Sequence, residues 1–388
     1  MKTLNMFRDS NLFIKLLALY LFFIPLDFLP ILPGVSVSKI LIFLPIIGFV
    51  LEIRNGIVLR KNLLPLITYL IIHLVLLLFS MDLNASLGKY FTISINIILI
   101  IFLTTCGYSN EDIHFLYSAM KLSGWLLLLL SLKFSNFNLF QGRLVIIING
   151  VRQDPNEMCG FLIFSICCYL NEFFETNRKR ALLFVLTFMG LIIFSGSRGG
   201  IAASLISQIV ILYKYRNISK NSGKITRVLL FGFLGLWIIW SLLPETLIDR
   251  LSVDYLVNEV NESSRGIIWK QLLDSYSNST ILRKLVGHGM ATVINFNSSG
   301  SVAHNVLIEM LIETGLIGFF AQLGIYCYFF LVIRKSQRIE IYASYLGYLT
   351  MALFLSIYSY KPLWNIVLIG LILANFKNMN KFSQKSRE

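Results

Sequence analysis

The chain has 388 residues, of which 56% are hydrophobic and only 14% charged, with a mean hydropathy of +0.73. An ordinary globular chain is about one quarter charged, so this composition excludes a soluble domain and predicts a polytopic helical membrane protein. The net charge of +14 fits basic loops retained on one side of the membrane during insertion. It does not point to nucleic acid, because no basic run outside the apolar segments is interleaved with aromatics for base stacking.

The apolar runs are continuous over about 15–20 residues, unlike the ~10-residue alternating segments of an outer-membrane barrel. Lys2 and Arg8 precede the first run, from Leu12. No small-residue cleavage site follows, so this reads as an uncleaved span. About twelve runs are long enough, or nearly so, to cross a bilayer: 12–30, 37–53, 63–80, 90–106, 113–132, 157–173, 181–195, 199–213, 226–243, 315–334, 340–358 and 360–376. The seventh and eighth are short and separated only by Gly196-Ser197-Arg198. They read either as two full spans or as a hairpin that does not cross. Cys106, Cys159, Cys167, Cys168 and Cys327 all lie in apolar runs without a Cys-x-x-Cys, so neither a disulfide framework nor a zinc site is expected.

Lys and Arg gather on alternate connections, as at Arg178-Lys179-Arg180 and Arg334-Lys335, which places both termini in the cytoplasm. The expected fold is an all-α polytopic membrane protein of about 12 transmembrane helices. Residues 1–388 form one integral membrane domain, with an extracytoplasmic loop over 244–314 inserted between spans 9 and 10.

Within that loop, Ile268, Leu272 and Tyr276 share one helical face with Trp269 beside them. The spacing predicts a short helix over 264–276 at the membrane interface, with Trp269 at headgroup depth. Residues 295–301 read as a flexible connector, and 303–313 as a helix whose first turn carries His304 and Asn305.

This topology puts Arg143, Arg152, Asp154, Asn156, Arg198, Arg265, His288, His304, Asn305, Glu309 and Glu313 on one side. Arg198 admits two readings. Ser197 can cap the following helix and the glycines leave its first amides bare, which makes an anion site beside a guanidinium; equally, an arginine in a tight turn can snorkel to lipid headgroups. Arg265 sits in the first turn of its proposed helix, where the dipole opposes a cation. It is either the partner of an anion or an exposed loop residue. Arg152 is a further anion candidate, in a turn where Pro155 opens a helix and Asn156 caps it. His304 has a side chain suited to proton transfer near neutral pH, with Asn305 placed to orient a hydroxyl; the alternative is an interfacial or capping histidine. The histidines and carboxylates lack metal-ligand spacing, so neither a metal nor a cofactor is expected.

Taken in order, several segments resemble the bacterial O-antigen polymerase and O-antigen ligase superfamily. These are Asp154-Pro155-Asn156 before a span, Ser197-Arg198-Gly199-Gly200 after one, Arg265 followed four positions later by Trp269, Gly287-His288-Gly289, and His304-Asn305 followed by Gly315-Leu316-Ile317-Gly318. The resemblance covers 152–318 by motif and the whole chain by span count. It implies a metal-independent glycosyltransferase at the outer face of the inner membrane, whose donor is a glycan on undecaprenyl diphosphate. A polymerase passes the growing chain to the next lipid-linked repeat unit; a ligase passes it to lipid A–core. Arg198 and Arg265 would hold the diphosphate, with Arg143, Arg152 and Asn305 as further donor or glycan contacts, and His304 would deprotonate the acceptor hydroxyl. The implied partners are the lipid-linked oligosaccharide, membrane lipid and a chain-length regulator. The phenylalanine-, isoleucine- and asparagine-rich divergence of the chain leans to the polymerase branch. A flippase for lipid-linked oligosaccharides is the rival from another class; it would show ionisable groups at mid-membrane, for which Lys121 is the main candidate.

Overall fold

The computed structural model describes residues 11–32, 35–52, 63–136, 142–148, 150–216, 222–252 and 264–385; Lys2 and Arg8 lie outside them. The described chain is all-α, with two small antiparallel strand sets at the loops. In chain order the helices are α1 (Leu12–Phe23), α2 (Val37–Leu41), α3 (Phe43–Glu52), α4 (Leu64–Leu76), α5 (Leu83–Thr105), α6 (Asn110–Phe134), α7 (Pro155–Thr176), α8 (Lys179–Phe194), α9 (Arg198–Tyr215) and α10 (Ser222–Ser241). There follow α11 (Glu245–Leu251), α12 (Ser264–Ser277), α13 (Ile281–Val286), α14 (Val306–Lys335), α15 (Ile339–Met351) and α16 (Lys361–Lys385). Five of these, α5, α6, α7, α10 and α14, are long and apolar enough to cross a membrane by length and composition. The chain is a multi-pass membrane protein.

Local chemistry sets the helix ends. Asn11, Asp82 and Ser109 each accept a backbone N–H at the start of α1, α5 and α6, and Ser109 forms a reciprocal capping box with Asp112. Asn177, at φ 56°, closes α7 in the left-handed conformation. The large core runs along α7, which is buried over nearly its whole length, and against α15 and α16. By contrast, no residue of α10 is buried, and Leu229, Phe233, Trp237 and Trp240 stand exposed on it. An all-round apolar surface of this kind is stable only in lipid.

The short segments over 181–213 resolve into two helices, α8 of 16 residues and α9 of 18, or about 24 and 27 Å at 1.5 Å per residue. At one end the turn between them meets Arg143; at the other, the Tyr215 hydroxyl at the close of α9 donates to Asn171 near the end of α7, at 2.7 Å. Both helices therefore run alongside α7 for most of its length. One other boundary differs from the sequence expectation. The run over 340–358 is helical only to Met351, because Ala352 turns its carbonyl to accept the N–H of Val306 at 2.9 Å. The helix expected over 303–313 begins at Val306, and α14 breaks at Gly315 (φ 61°, ψ −166°), where the run over 315–334 was expected to begin.

Alternating helix directions bring one set of connections to one end of the bundle, and hydrogen bonds tie them together. Lys361, opening α16, pairs with Asp27 beyond α1 at 2.5 Å. Met81, before α5, donates its N–H to His288 O at 2.8 Å, and the Ser86 hydroxyl donates to Met290 O at 2.8 Å. Lys121 is engaged elsewhere. It extends to Glu172, which also meets Arg178, and lies 4.0 Å over the Tyr169 ring.

Candidate functional site

The site is built on the turn between α8 and α9. Ser197 accepts the Gly200 N–H at 3.1 Å, so it caps α9 as its sequence context predicts, and Arg198 is the first helical residue. Gly196 adopts φ +62°, and a Cβ there would lie 2.7 Å from Leu247 Cδ1. Glycine is therefore required both for the turn and for the close approach of α11.

Two guanidiniums grip this turn. Arg143 Nε donates to Ser195 O at 2.8 Å and Arg250 Nε donates to Gly196 O at 3.4 Å. Arg143 is only 7% exposed. It reaches the turn because a β-meander brings it into place: β3 (Ser135–Asn136) pairs with β4 (Val145–Ile148), and β4 with β5 (Val151–Arg152). Leu144 N–H also donates to Phe194 O at 2.7 Å. Nothing in the sequence reading anticipated these strands; the run Val145-Ile146-Ile147-Ile148 was the only cue.

The meander exposes Arg152 and delivers Asp154 to the head of α7. Here the cap is Asp154, not Asn156. Asp154 Oδ1 accepts both the backbone N–H of Asn156 at 2.7 Å and its side-chain amide at 2.8 Å, while Asn156 Oδ1 accepts from Arg143 Nη2 at 3.3 Å. Pro155 takes the first helical position, where no N–H is needed.

The second half of the site comes from the long loop. Helix α12 forms where expected, with Arg265 in its first turn. The indole N–H of Trp269 donates to Ala303 O at 2.7 Å, and the ring packs on a small core of Ile268, Leu272, Val293, Ala303 and Ile312. This gives the Arg-x-x-x-Trp spacing a physical meaning. Trp269 anchors α12 to the residue before His304, and Arg265, one turn away on the same face, is brought to the histidine. Within the connector over 295–301, the Asn297 side chain accepts from Ser301 N–H and donates to Ser301 O.

His304 has φ 51°, a left-handed conformation that is uncommon for a non-glycine residue. Burial, and then the charge of Arg265, hold its pKa below the ordinary 6.5, with Asp154 opposing. The imidazole is therefore neutral at pH 7 and able to accept a proton. Arg265 is likewise pushed down by burial and by Arg250, with Asp154 pulling the other way. Burial, then Arg250, lowers Arg143 to about 10, which still leaves it a cation at neutral pH. The mutual influence of these groups brings Arg143, Arg152, Asp154, Arg250, Arg265 and His304 into one cluster, beside the turn that carries Arg198.

Four sequence candidates have other employment. Asn305 lies just before α14, not within its first turn. Its Oδ1 caps Leu307 and Ile308, and its amide donates to Leu353 O at 3.3 Å. His288 is buried, with its N–H on Ile312 O and its ring 4.4 Å from that of Phe296. Glu309 and Glu313 form a neighbouring polar layer: Ser356 donates to Glu309, Tyr358 donates to Glu313 at 2.9 Å, and Lys89 lies 4.4 Å over the Tyr358 ring. Arg250 escaped the sequence reading as one more loop arginine; the amphipathic Leu247–Arg250 turn after Pro244 was its only signal. Among the described residues, no group of three or more His, Cys, Asp or Glu side chains is placed to hold a metal ion.

Chemically, the arrangement offers several guanidiniums to an anion and a neutral imidazole to a proton, around the Asp154 carboxylate. Arg265→Gln is expected to move the His304 titration, followed by NMR of labelled histidine, upward toward 6.5, because a like charge is removed. An unmoved titration would show that the two side chains do not act on each other. The chain matches no family model, and no curated protein matches it.

Proposed function

We propose that this chain is a membrane transferase acting on a lipid-linked anionic donor. Within that class, the reading we favour is a surface-polysaccharide (O-antigen) polymerase of about twelve spans in the bacterial inner membrane, with both termini cytoplasmic. It transfers a glycan from undecaprenyl diphosphate to the next lipid-linked repeat unit at the outer face. The observation that carries this reading is the convergence of Arg143, Arg250 and Arg265 with a neutral His304, beside the Arg198 turn, at one end of a lipid-embedded bundle.

The acceptor hydroxyl oxygen attacks the anomeric carbon and its proton passes to the His304 imidazole. The bond from that carbon to the diphosphate oxygen breaks, and the electron pair leaves on the diphosphate. Arginines stay charged and bind phosphate oxygens in pairs, so the developing charge on the leaving group is met by fixed donors. Direct displacement of this kind inverts the anomeric centre. A second reading, the ligase, is favoured by His304-Asn305 followed after nine residues by Gly315-Leu316-Ile317-Gly318, which resembles the order in ligases of that superfamily: His, then Asn, Ser or Gln, nine residues, Gly, two residues, and Gly, Thr or Tyr.

Deletion of the gene separates these on a polysaccharide gel. Core bearing a single repeat unit and no ladder supports the polymerase. Bare core with long chains retained on the lipid carrier supports the ligase. Failure of repeat units to reach the outer face points to a flippase and removes the catalytic reading.

A further inference from the structure

We infer that a polar hollow on the flank of α12 is a subsite for uncharged sugars of the glycan, held away from the reacting centre. This deepens the function proposed above and rests on it. The hollow is open to the surface and has a volume of about 520 Å³, within the range that takes a small organic ligand. Gln271, Asp274 and Ser275 line one side from α12, and residues 295–298 line the other. Asp274 lies roughly 14 Å along α12 from Arg265 and on the opposite side of the helix. What the hollow holds is therefore not the sugar that reacts. Its two sides are locked together. Gln271 Oε1 accepts the Ser298 N–H at 2.9 Å, while the Gln271 amide donates to the Ser298 hydroxyl at 3.0 Å. Asn297 is held by Ser301, and the Phe296 ring rests 4.4 Å from that of buried His288. His288, which the proposed chemistry does not use, thus backs the wall of the hollow. A lining fixed before the ligand arrives avoids part of the ordering cost of binding.

Within this frame three polar side chains are left to meet a ligand. Among the described residues, the Asp274 carboxylate, the Ser275 hydroxyl and the Asn295 amide make no hydrogen bond. Together they present acceptors and donors, which a ring of sugar hydroxyls, each both donor and acceptor, can match. Half-buried Phe296 adds an apolar surface for the C–H side of a sugar ring. No lysine or arginine lines the hollow, and the one charged group in it is a carboxylate. A phosphate or an acidic sugar would be repelled there, so the hollow complements the cationic cluster rather than extending it. The plainer role is a solvated loop surface, for which Asp274 and Asn295 would have no bearing on glycan binding.

The test uses the full chain purified in detergent. It is titrated by calorimetry with the oligosaccharide repeat unit released by mild acid from the lipid carrier of a strain lacking the gene. The released sugar has lost its diphosphate, so its binding does not report the arginine cluster. Wild type should bind it, and Asp274→Ala and Asn295→Ala should each weaken binding at least about tenfold, the scale of one or two lost hydrogen bonds. Both side chains are exposed, so the unfolding midpoints should stay at the wild-type value; if one variant fails to fold, the other decides. Wild-type affinity retained in either folded variant overturns this proposal alone. So does a wild type that transfers a lipid-linked glycan but binds no released oligosaccharide. A wild type that neither binds the oligosaccharide nor transfers the lipid-linked glycan overturns the function proposed above, and the subsite with it.

Discussion

His304→Asn is expected to lower glycan transfer by about 10²–10⁴-fold, the usual contribution of a positioned general base, while leaving the protein folded. Asparagine is the informative replacement because it also tolerates the left-handed conformation that His304 adopts at φ 51°. Alanine at that position would add about 1–2 kcal/mol of backbone cost and blur a catalytic loss with a structural one. Burial and Arg265 keep the imidazole neutral at pH 7, as the proposed proton transfer from the acceptor requires. The measurement is the length of chain formed on the lipid carrier by purified variant and wild type, with unfolding midpoints as the control. A full ladder from His304→Asn would remove His304 from the chemistry.

The largest structural effect is expected at the break in α14. Gly315→Ala should abolish accumulation of folded protein, whereas Gly324→Ala in the same helix should be tolerated or mildly stabilising. At Gly315 the backbone lies at φ 61°, ψ −166°, a region open essentially to glycine and costing about 1–3 kcal/mol for other residues. A Cβ would also stand 2.4 Å from Leu285 O and 2.6 Å from Gly287 N, both backbone atoms that cannot swing aside. Gly287 faces it reciprocally: its own Cβ would meet Glu313 O at 2.3 Å. The N–H groups of His288 and Gly289 then donate to Ile312 O and Glu313 O, at 3.1 and 2.8 Å, satisfying carbonyls that the break releases. A Cβ added at Gly324 would meet nothing within 4 Å, and alanine gains about 1 kcal/mol over glycine in a regular helix. Expression yield and unfolding midpoint in detergent, compared between the two variants, make the check. Equal behaviour would mean that α14 is continuous.

Membrane character, most helix positions and several helix ends were legible in the sequence because each rests on energies acting over a few residues. Apolar runs must leave water whatever surrounds them, and Ser197 accepts the Gly200 N–H because both lie in one turn. The same locality explains the misplacements. Asp154 and Asn156 are equally good caps by type, and only the bond from Arg143 to Asn156 shows which side chain is left for that task. Asn305 looked free to meet a sugar until Leu353 approached from 48 residues away. The apolar run after Met351 looked helical because hydropathy cannot register that Ala352 must turn its carbonyl to Val306.

What the sequence by itself determined is therefore the solvent, the helical class and the chemical types gathered in the long loop, including Arg265, His304 and the glycines that follow. Only the tertiary structure decided that Arg250 joins Arg143 on the Ser195–Gly196 turn, that Trp269 draws Arg265 to His304, and that Gly287 and Gly315 interlock. The physical reason is distance along the chain. Such contacts join segments tens of residues apart, and their energy exists only once the intervening helices have packed.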